Sequence, residues 1–245
     1  MSKKVYVEVK DNLPINVDIQ NAIDGFQYLG HSIYKFRLED IMMGKMDNIA
    51  LNLDNIFVGS IDAMNMLFKN INKTPNPIDF PDSILSKKLI KRKIYKTHLF
   101  DFIKNFKENK IPKFVKPIKT KLFDGILISK QEHLHFLNNY DNCEVYISDV
   151  IDILSEHRVY VHKRKAIYSC NYSGDFRINP DFNYIDKLID NYENQPIAYT
   201  IDVAILKDNS TTVIEFNDFF AIGSYGLYSI DYSKMLLDRY KEIIK

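Results

Sequence analysis

The stretch Thr200-Ile201-Asp202-Val203-Ala204-Ile205-Leu206-Lys207-Asp208-Asn209-Ser210-Thr211-Thr212-Val213-Ile214-Glu215-Phe216-Asn217 constrains this chain more than any other. Apolar and β-branched residues run up to Asp208-Asn209 and resume after it, and both of those residues tolerate the positive φ of a tight hairpin turn. A two-residue turn there, or a four-residue loop over 207–210 with the same register, sets Asp202 directly across from Glu215. Asn217, two residues further on, falls on the same face. Opposed Cβ atoms lie roughly 5 Å apart, so two like charges there repel, or raise one pKa, unless a cation sits between them. Oxygens of Asp, Glu and Asn are what Mg²⁺ accepts, usually as one or two carboxylates completed by substrate phosphates. A divalent metal with a nucleotide is one reading of this face. The solvated side of an ordinary hairpin is the other, and spacing alone leaves both open.

Composition narrows the classes further. A chain of 245 residues, 46% hydrophobic and 27% charged, can bury a sizeable core in one or two domains. With 8 Gly and 8 Pro it holds no collagen-like or low-complexity segment and no long flexible linker. The 33 basic and 32 acidic residues leave +1, which argues against a broad polyanion-binding surface and makes any phosphate site local. Cys143 and Cys170 are too few for a disulfide framework or a four-thiolate metal site and read as inert core thiols of a reducing compartment. The opening run Val5-Tyr6-Val7-Glu8-Val9 reads as a strand and not as a signal peptide. Nothing approaches the ~18 apolar residues of a membrane span, so the expected location is cytoplasmic.

Along the chain, Asn55-Ile56-Phe57-Val58 followed by Gly59-Ser60 reads as a strand entering a helix capped by Ser60. Ile61, Met64, Phe68 and Ile71 then fall at helical spacing, facing a sheet. The prolines of Lys73-Thr74-Pro75-Asn76-Pro77 mark the most loop-like stretch, so residues 1–78 are expected to form a small α/β domain and 79–245 a second one. Ser83 to Lys110 is expected to be helical, with Leu99, Phe102, Ile103 and Phe106 on one side and a basic run from Lys87 to Lys96. Pro112 stops it before the strand Lys113-Phe114-Val115-Lys116, and a polar loop from Pro117 to Asp124 leads to the strand Ile126-Leu127-Ile128. Lysines 116, 119 and 121 gather around that loop, an arrangement that suits phosphates. A short helix near Gln131 to Tyr140, a strand at Glu144 to Ile147, paired strands turning at His162 to Arg164, a helix at Asp181 to Tyr192, the acidic hairpin and a last helix give an α+β order. His133 and His135, two apart on a helix, point away from each other and make no metal case.

Taken in order, Lys113-Phe114-Val115-Lys116-Pro117, the strand and hinge from Glu144 to Asp152, Glu156-His157-Arg158-Val159-Tyr160-Val161, and Ile201-Asp202-Val203 with Glu215-Phe216-Asn217-Asp218 resemble the ATP-grasp ligase superfamily. More narrowly, the chain is similar to a clade of small bacterial and phage ATP-grasp proteins named for one arginine and two lysines. Val58-Gly59-Ser60, Phe80-Pro81 before the basic run, Asn171-Tyr172-Ser173-Gly174 and Gly226-Leu227-Tyr228 extend the similarity over about residues 55 to 240. No one of these motifs is specific; their order and spacing carry the resemblance.

The resemblance implies an α+β ATP-grasp fold, two α+β subdomains gripping ATP, preceded by the small α/β N-terminal domain. The central subdomain would span about 110–150 and the C-terminal one about 151–245. It implies ATP and Mg²⁺, with Asp202, Glu215 and Asn217 as metal ligands. Lys116 would contact phosphates from its strand. Arg92 matches a second phosphate position, with Lys93 an almost equal choice, and Lys119 and Lys121 would lie in the loop over the phosphates. Backbone groups at Ser148, Asp149, Val150 and Ile151 would read the adenine edge, and Glu156 the ribose hydroxyls. Many ATP-grasp ligases carry Arg two residues before the metal-binding Asp, where this chain has Thr200. Arg158, on the same strand face as Glu156, is the candidate to supply that charge. Lys116, Arg92 and Arg158 are accordingly the residues expected to stabilise charge in the reaction.

The implied chemistry is attack of a carboxylate on the γ-phosphate of ATP, giving an acyl phosphate that an amine, thiol or hydroxyl then attacks, with release of ADP and phosphate. A peptide-like carboxylate–amine ligase acting on small-molecule or peptide substrates is the central expectation, its substrates meeting near Tyr172, Ser173 and the loop from Phe219 to Tyr228. Two other classes compete. Lys121-Leu122-Phe123-Asp124-Gly125 resembles the Lys-x-Asp-Gly of nucleotidyltransferases and nucleic-acid ligases, but an extra residue reverses the strand face on which Lys lies. A non-catalytic binding protein, of ATP or of nucleic acid through the basic run, is the third. On a helix those six basic residues spread over more than one face, unlike a groove-binding stripe.

Overall fold

The computed structural model describes residues 2–52, 54–75, 78, 80–106, 112–118 and 122–245. The chain opens with β1 (Lys4–Lys10), β2 (Leu13–Pro14), α1 (Val17–Tyr28), β3 (Ser32–Phe36), α2 (Leu38–Met42), α3 (Asp47–Ala50), β4 (Asn55–Val58) and α4 (Ile61–Asn70). β1 pairs in parallel with both β3 and β4. Its central place is why Val5, Val7 and Val9 are all buried. Asn16 caps α1 by accepting the Ile19 N–H at 3.0 Å, and Ser60 caps α4 by accepting that of Ala63 at 3.2 Å, as its position predicts.

Next come α5 (Asp82–Ser86), β5 (Ile94–His98), α6 (Leu99–Asn105), β6 (Lys113–Pro117), β7 (Ile126–Ile128), a 3₁₀ helix at Gln131–Phe136 and β8 (Glu144–Asp149). The strands form one antiparallel sheet in the order β5-β8-β6-β7. Two expectations are corrected here. Where a helix is expected over Ser83 to Lys110, residues 83–106 form a short helix, a turn with Lys88 at φ +53°, a strand and a second helix, and 107–110 lie outside the described residues. Leu99, Phe102, Ile103 and Phe106 do mark a helix, but the spacing speaks only for α6. Ile94 to His98 pair residue for residue with β8, so tertiary pairing overrides a helical reading of the basic run. The helix expected near Gln131 to Tyr140 is the shorter, tighter 3₁₀ element.

The last part comprises β9 (Ile153–His162), β10 (Lys165–Gly174), α7 (Phe182–Asn191), β11 (Ala198–Leu206), β12 (Thr211–Asp218) and α8 (Ser229–Ile244). These strands form a second antiparallel sheet, β10-β9-β11-β12. One of its faces packs Val159, Val161, Ile201, Val203 and Phe216 against Ile185 and Leu188 of α7. The other carries the polar residues of the hairpin. α8 returns to the start of the chain, where Met235, Leu236, Tyr240 and Ile244 share one core with Val5, Val7, Phe57 and Phe68. The N-terminal unit therefore completes its core with the C-terminal helix. Among the described residues no helix is long and apolar enough to cross a membrane. Cys143 and Cys170 are free, and burial raises both thiols.

Candidate active site between the two antiparallel sheets

β9, β11 and β12 lie side by side, so alternate residues line one face. Arg158 of β9 opposes Asp202 of β11, which in turn opposes Glu215 of β12. Arg158 Nε and Nη2 donate to the two Asp202 carboxylate oxygens, each at 2.8 Å. The pair is almost wholly buried, with side chains 9% and 5% exposed. Burial alone would lower the Arg158 pKa; the Asp202 carboxylate outweighs it and raises it. Glu215 Oε2 accepts from Lys116 Nζ, which reaches across from β6 in the first antiparallel sheet. Asn217 Nδ2 donates to Asp202 Oδ2 at 3.3 Å. Two opposed carboxylates are thus held by a cation each, one from within the sheet and one from the facing sheet, which relieves the repulsion their register creates.

That register arises by a different route from the expected one. Leu206 N–H donates to Ser210 O at 2.9 Å, and Asn209 at φ +61° closes a three-residue loop over 207–209. This shifts the pairing beside the loop by one residue, to Val203 with Val213 and Ile205 with Thr211. A bulge at Ile214 shifts it back, restoring Asp202 with Glu215 and Thr200 with Asn217. The two departures cancel.

The bulge is held from outside. The Arg92 guanidinium donates to the carbonyls of Val213 and, at 3.1 Å, Ile214. Lys91 N–H donates to Thr212 Oγ1 at 3.1 Å, and Val213 N–H to the Tyr184 hydroxyl at 3.2 Å. Burial brings the Arg92 pKa down to about 10. Arg92 thus lies on no basic helix; its fork is engaged with the edge of β12. Lys93 sits beside the end of β8, where its carbonyl accepts the Asp149 N–H at 3.0 Å and its own N–H donates to Asp149 Oδ2 at 3.3 Å. Lys119 and Lys121 lie outside the described residues.

Of the hinge residues, Ser148 is buried inside the sheet between Ile94 and Phe114, whereas Val150 is exposed and joins Ile151 between β8 and β9. Lys113 Nζ donates to the Asp149 carboxylate at 2.6 Å and holds it below the usual carboxylate range. Glu156 lies on the Arg158 face, two residues away. The Tyr172 hydroxyl is pushed up by burial and by the Asp202 and Glu156 carboxylates. Arg158 also lies 4.7 Å from the centre of the Tyr225 ring and 5.9 Å from that of Tyr172. The sequence places Tyr172 near the substrates and names Tyr225 only as part of the loop from Phe219 to Tyr228. Its only signal was a place between two glycines in Gly223-Ser224-Tyr225-Gly226.

Beside this array a cleft of about 550 Å³ opens between the N-terminal unit and the loop after β12, lined by Asp18, Ser60, Gly223, Ser224, Tyr225 and Gly226 among others. The array itself suits a hard divalent cation: Asp202, Glu215 and Asn217 offer carboxylate and amide oxygens on one face. Among the described residues no group of three or more His, Cys, Asp or Glu gathers to hold a metal. Two carboxylates and an amide fit a metal that completes its shell with water and phosphate, not an all-protein cage. Thr200 Oγ1, fully buried two residues before Asp202, has no hydrogen-bond partner among the described residues.

A family model for the ATP-grasp domain, that of family 2 in the clade named for one arginine and two lysines, matches residues 89–235, more than half of the chain. No curated protein matches the sequence. Among solved structures, the fold is similar to that of the D-cycloserine synthetase DcsG (TM-score 0.63, 11% identity, covering 97% of this chain and 99% of that one). It is similar also to the ATP-grasp ligase PsnB complexed with a minimal precursor (TM-score 0.59, 12% identity, 97% and 100%). A third is D-alanine–D-alanine ligase from Bacillus anthracis (TM-score 0.58, 11% identity, 100% and 98%). With the grip of two antiparallel sheets on one charged array and the family match across both, the chain belongs to the ATP-grasp ligases, in the second family of the arginine-and-two-lysines clade.

Proposed function

We propose that this protein joins a carboxylate to an amine-type nucleophile at the expense of ATP, through an acyl phosphate, releasing ADP and phosphate. The observation that carries the reading is the array Lys116–Glu215 and Asp202–Arg158 at the junction of the two sheets. Both cations are positioned by carboxylates, and when a triphosphate enters each has a second anion to turn to. Lys116, a compact charge on β6, would meet the phosphates from the central side. Arg158, a planar fork, would meet the equatorial oxygens of the transferring phosphoryl group and the acyl phosphate it becomes. Asp202, Glu215 and Asn217 would hold Mg²⁺, which when bound neutralises charge on the β and γ phosphates. Val150 and Ile151 at the hinge would meet the adenine, and Glu156 the ribose. Lys119 and Lys121 keep their proposed place over the phosphates. The chain supplies no covalent nucleophile in this scheme; positioning and fixed charge carry the rate.

The named relatives, a D-alanine ligase, a D-cycloserine synthetase and a ligase complexed with a precursor, support small-molecule or peptide substrates. Two free cysteines suit a cytoplasmic setting. The test is to screen pairs of carboxylates and amines with MgATP and to identify the nucleotide released. ADP and phosphate, formed in step with the joined product, are expected. Release of pyrophosphate, with a lysyl adenylate left on the chain, would establish nucleotidyl transfer instead.

A further inference from the structure

Tyr225 adopts φ +38°, a left-handed backbone that a bulky aromatic residue avoids. The loop around it leaves little choice. The carbonyl of Ile222 accepts from the Tyr232 hydroxyl at 2.7 Å and that of Gly223 from the Tyr160 hydroxyl at 2.9 Å. Ser224 N–H and Oγ both donate to Asp18 Oδ1, each at 2.8 Å. Leu227 N–H donates to Ser224 O at 2.7 Å, and Leu227 O accepts from Asn21 Nδ2 at 3.1 Å. A segment fixed this fully on both sides of one residue over-determines that residue's conformation, which is how strain persists in a folded protein.

What the strained backbone achieves is the placement of the ring. Tyr225 is 53% exposed, so the ring is not core packing. It lies over the Arg158 guanidinium at 4.7 Å, within cation–π range. It also lies against Gly223, where a Cβ would come within 3.0 Å of the ring; the missing side chain makes the room. The same ring lines the neighbouring cleft.

We infer that Tyr225 is a positioning residue for Arg158, held in a strained loop so that its ring fixes the guanidinium plane toward an acyl phosphate and forms the wall between that group and the cleft. The inference rests on the ligase reading, since it presumes that Arg158 meets an acyl phosphate.

The test uses the full chain, with Tyr225→Gly and Tyr225→Phe beside the wild type. Three quantities are measured: the melting temperature, the dissociation constant for MgATP, and that for acetyl phosphate in the presence of MgADP. Tyr225→Gly relieves the left-handed strain, so its melting temperature is expected at or above that of the wild type, with MgATP binding unchanged. Acetyl phosphate binding should weaken by about tenfold, the size of one cation–π contact at a partly desolvated site. Tyr225→Phe keeps the ring and should retain that binding. A residue that only packs would instead lower the melting temperature on conversion to Gly and leave acetyl phosphate binding unmoved. That outcome, equal loss in both variants, or no acetyl phosphate binding by a wild type that binds MgATP, overturns the inference alone. Absence of MgATP binding in the wild type overturns the ligase reading and the inference with it.

Discussion

Arg158 and Asp202 show how a single contact combines stability with chemistry. Two charges taken out of water cost several kcal/mol each, and only a bidentate geometry with further hydrogen bonds offsets that. Both side chains are under a tenth exposed and the geometry is bidentate. Removing one partner leaves the other charge buried, so Asp202→Asn should cost about 3–5 kcal/mol in urea unfolding. The double substitution Arg158→Met, Asp202→Leu should cost markedly less than that single change, and an additive double would contradict the pairing. On the opposite face of the same strand, His157 is 3% exposed, with Nε2 2.8 Å from the carbonyl of Ile178. Burial lowers its pKa from 6.5. The unfolded chain therefore binds the proton more readily, and His157 contributes stability that is fully present above pH 6.5 and lost as pH falls from there through the depressed folded value. Unfolding free energies measured from about pH 7.5 to about pH 5 should show this decline, and His157→Gln should flatten it.

At the scale of elements, the hairpin of β11 and β12 depends on the segment that precedes β5. β12 is an edge strand, and its bulge leaves two carbonyls that Arg92 satisfies. Arg92→Met should cost about 2 kcal/mol, through two partly buried acceptors losing a charged donor. Hydrogen exchange at Glu215 to Asn217 should accelerate in that variant. Unchanged exchange there would show that the bulge holds itself. This part of the molecule was only partly legible in the sequence. The opposition of Asp202 and Glu215, read from a tight turn at Asp208-Asn209, is present, though the turn that was to produce it is not. The three-residue loop and the compensating bulge were not legible, because Asp208-Asn209 serves a two-residue turn and a three-residue one equally well. The basic run misled for a related reason: Lys and Arg fit a helix, a turn or an edge-covering loop, and only pairing with β8 decides among them.

Across the whole molecule, the first and last elements are bound into one core, an arrangement that no local pattern announces. α1 and α8 approach so closely that a Cβ at Gly25 would lie 2.0 Å from the Ser229 carbonyl oxygen and 2.3 Å from Ser233 Oγ. Gly25→Ala should therefore destabilise the protein by about 1–3 kcal/mol through overpacking, despite the better helix propensity of Ala. A melting temperature equal to that of the wild type would show that the two helices part without cost. The family itself was legible, because motifs from five strands keep their order and spacing over most of the chain. The contact of the N-terminal unit with the loop after β12 was not, since Asp18 and Ser224 stand far apart in sequence with nothing to pair them. The site that this arrangement encloses is tested most directly by calorimetric titration of ATP, with and without Mg²⁺, into the wild type and the Glu215→Ala, Asn217→Ala double variant. Binding that depends on Mg²⁺ and weakens by at least about tenfold in the variant is expected from the loss of two oxygen ligands. Binding indifferent to the metal, or undiminished in the variant, would contradict the placement of MgATP on the face of Asp202, Glu215 and Asn217.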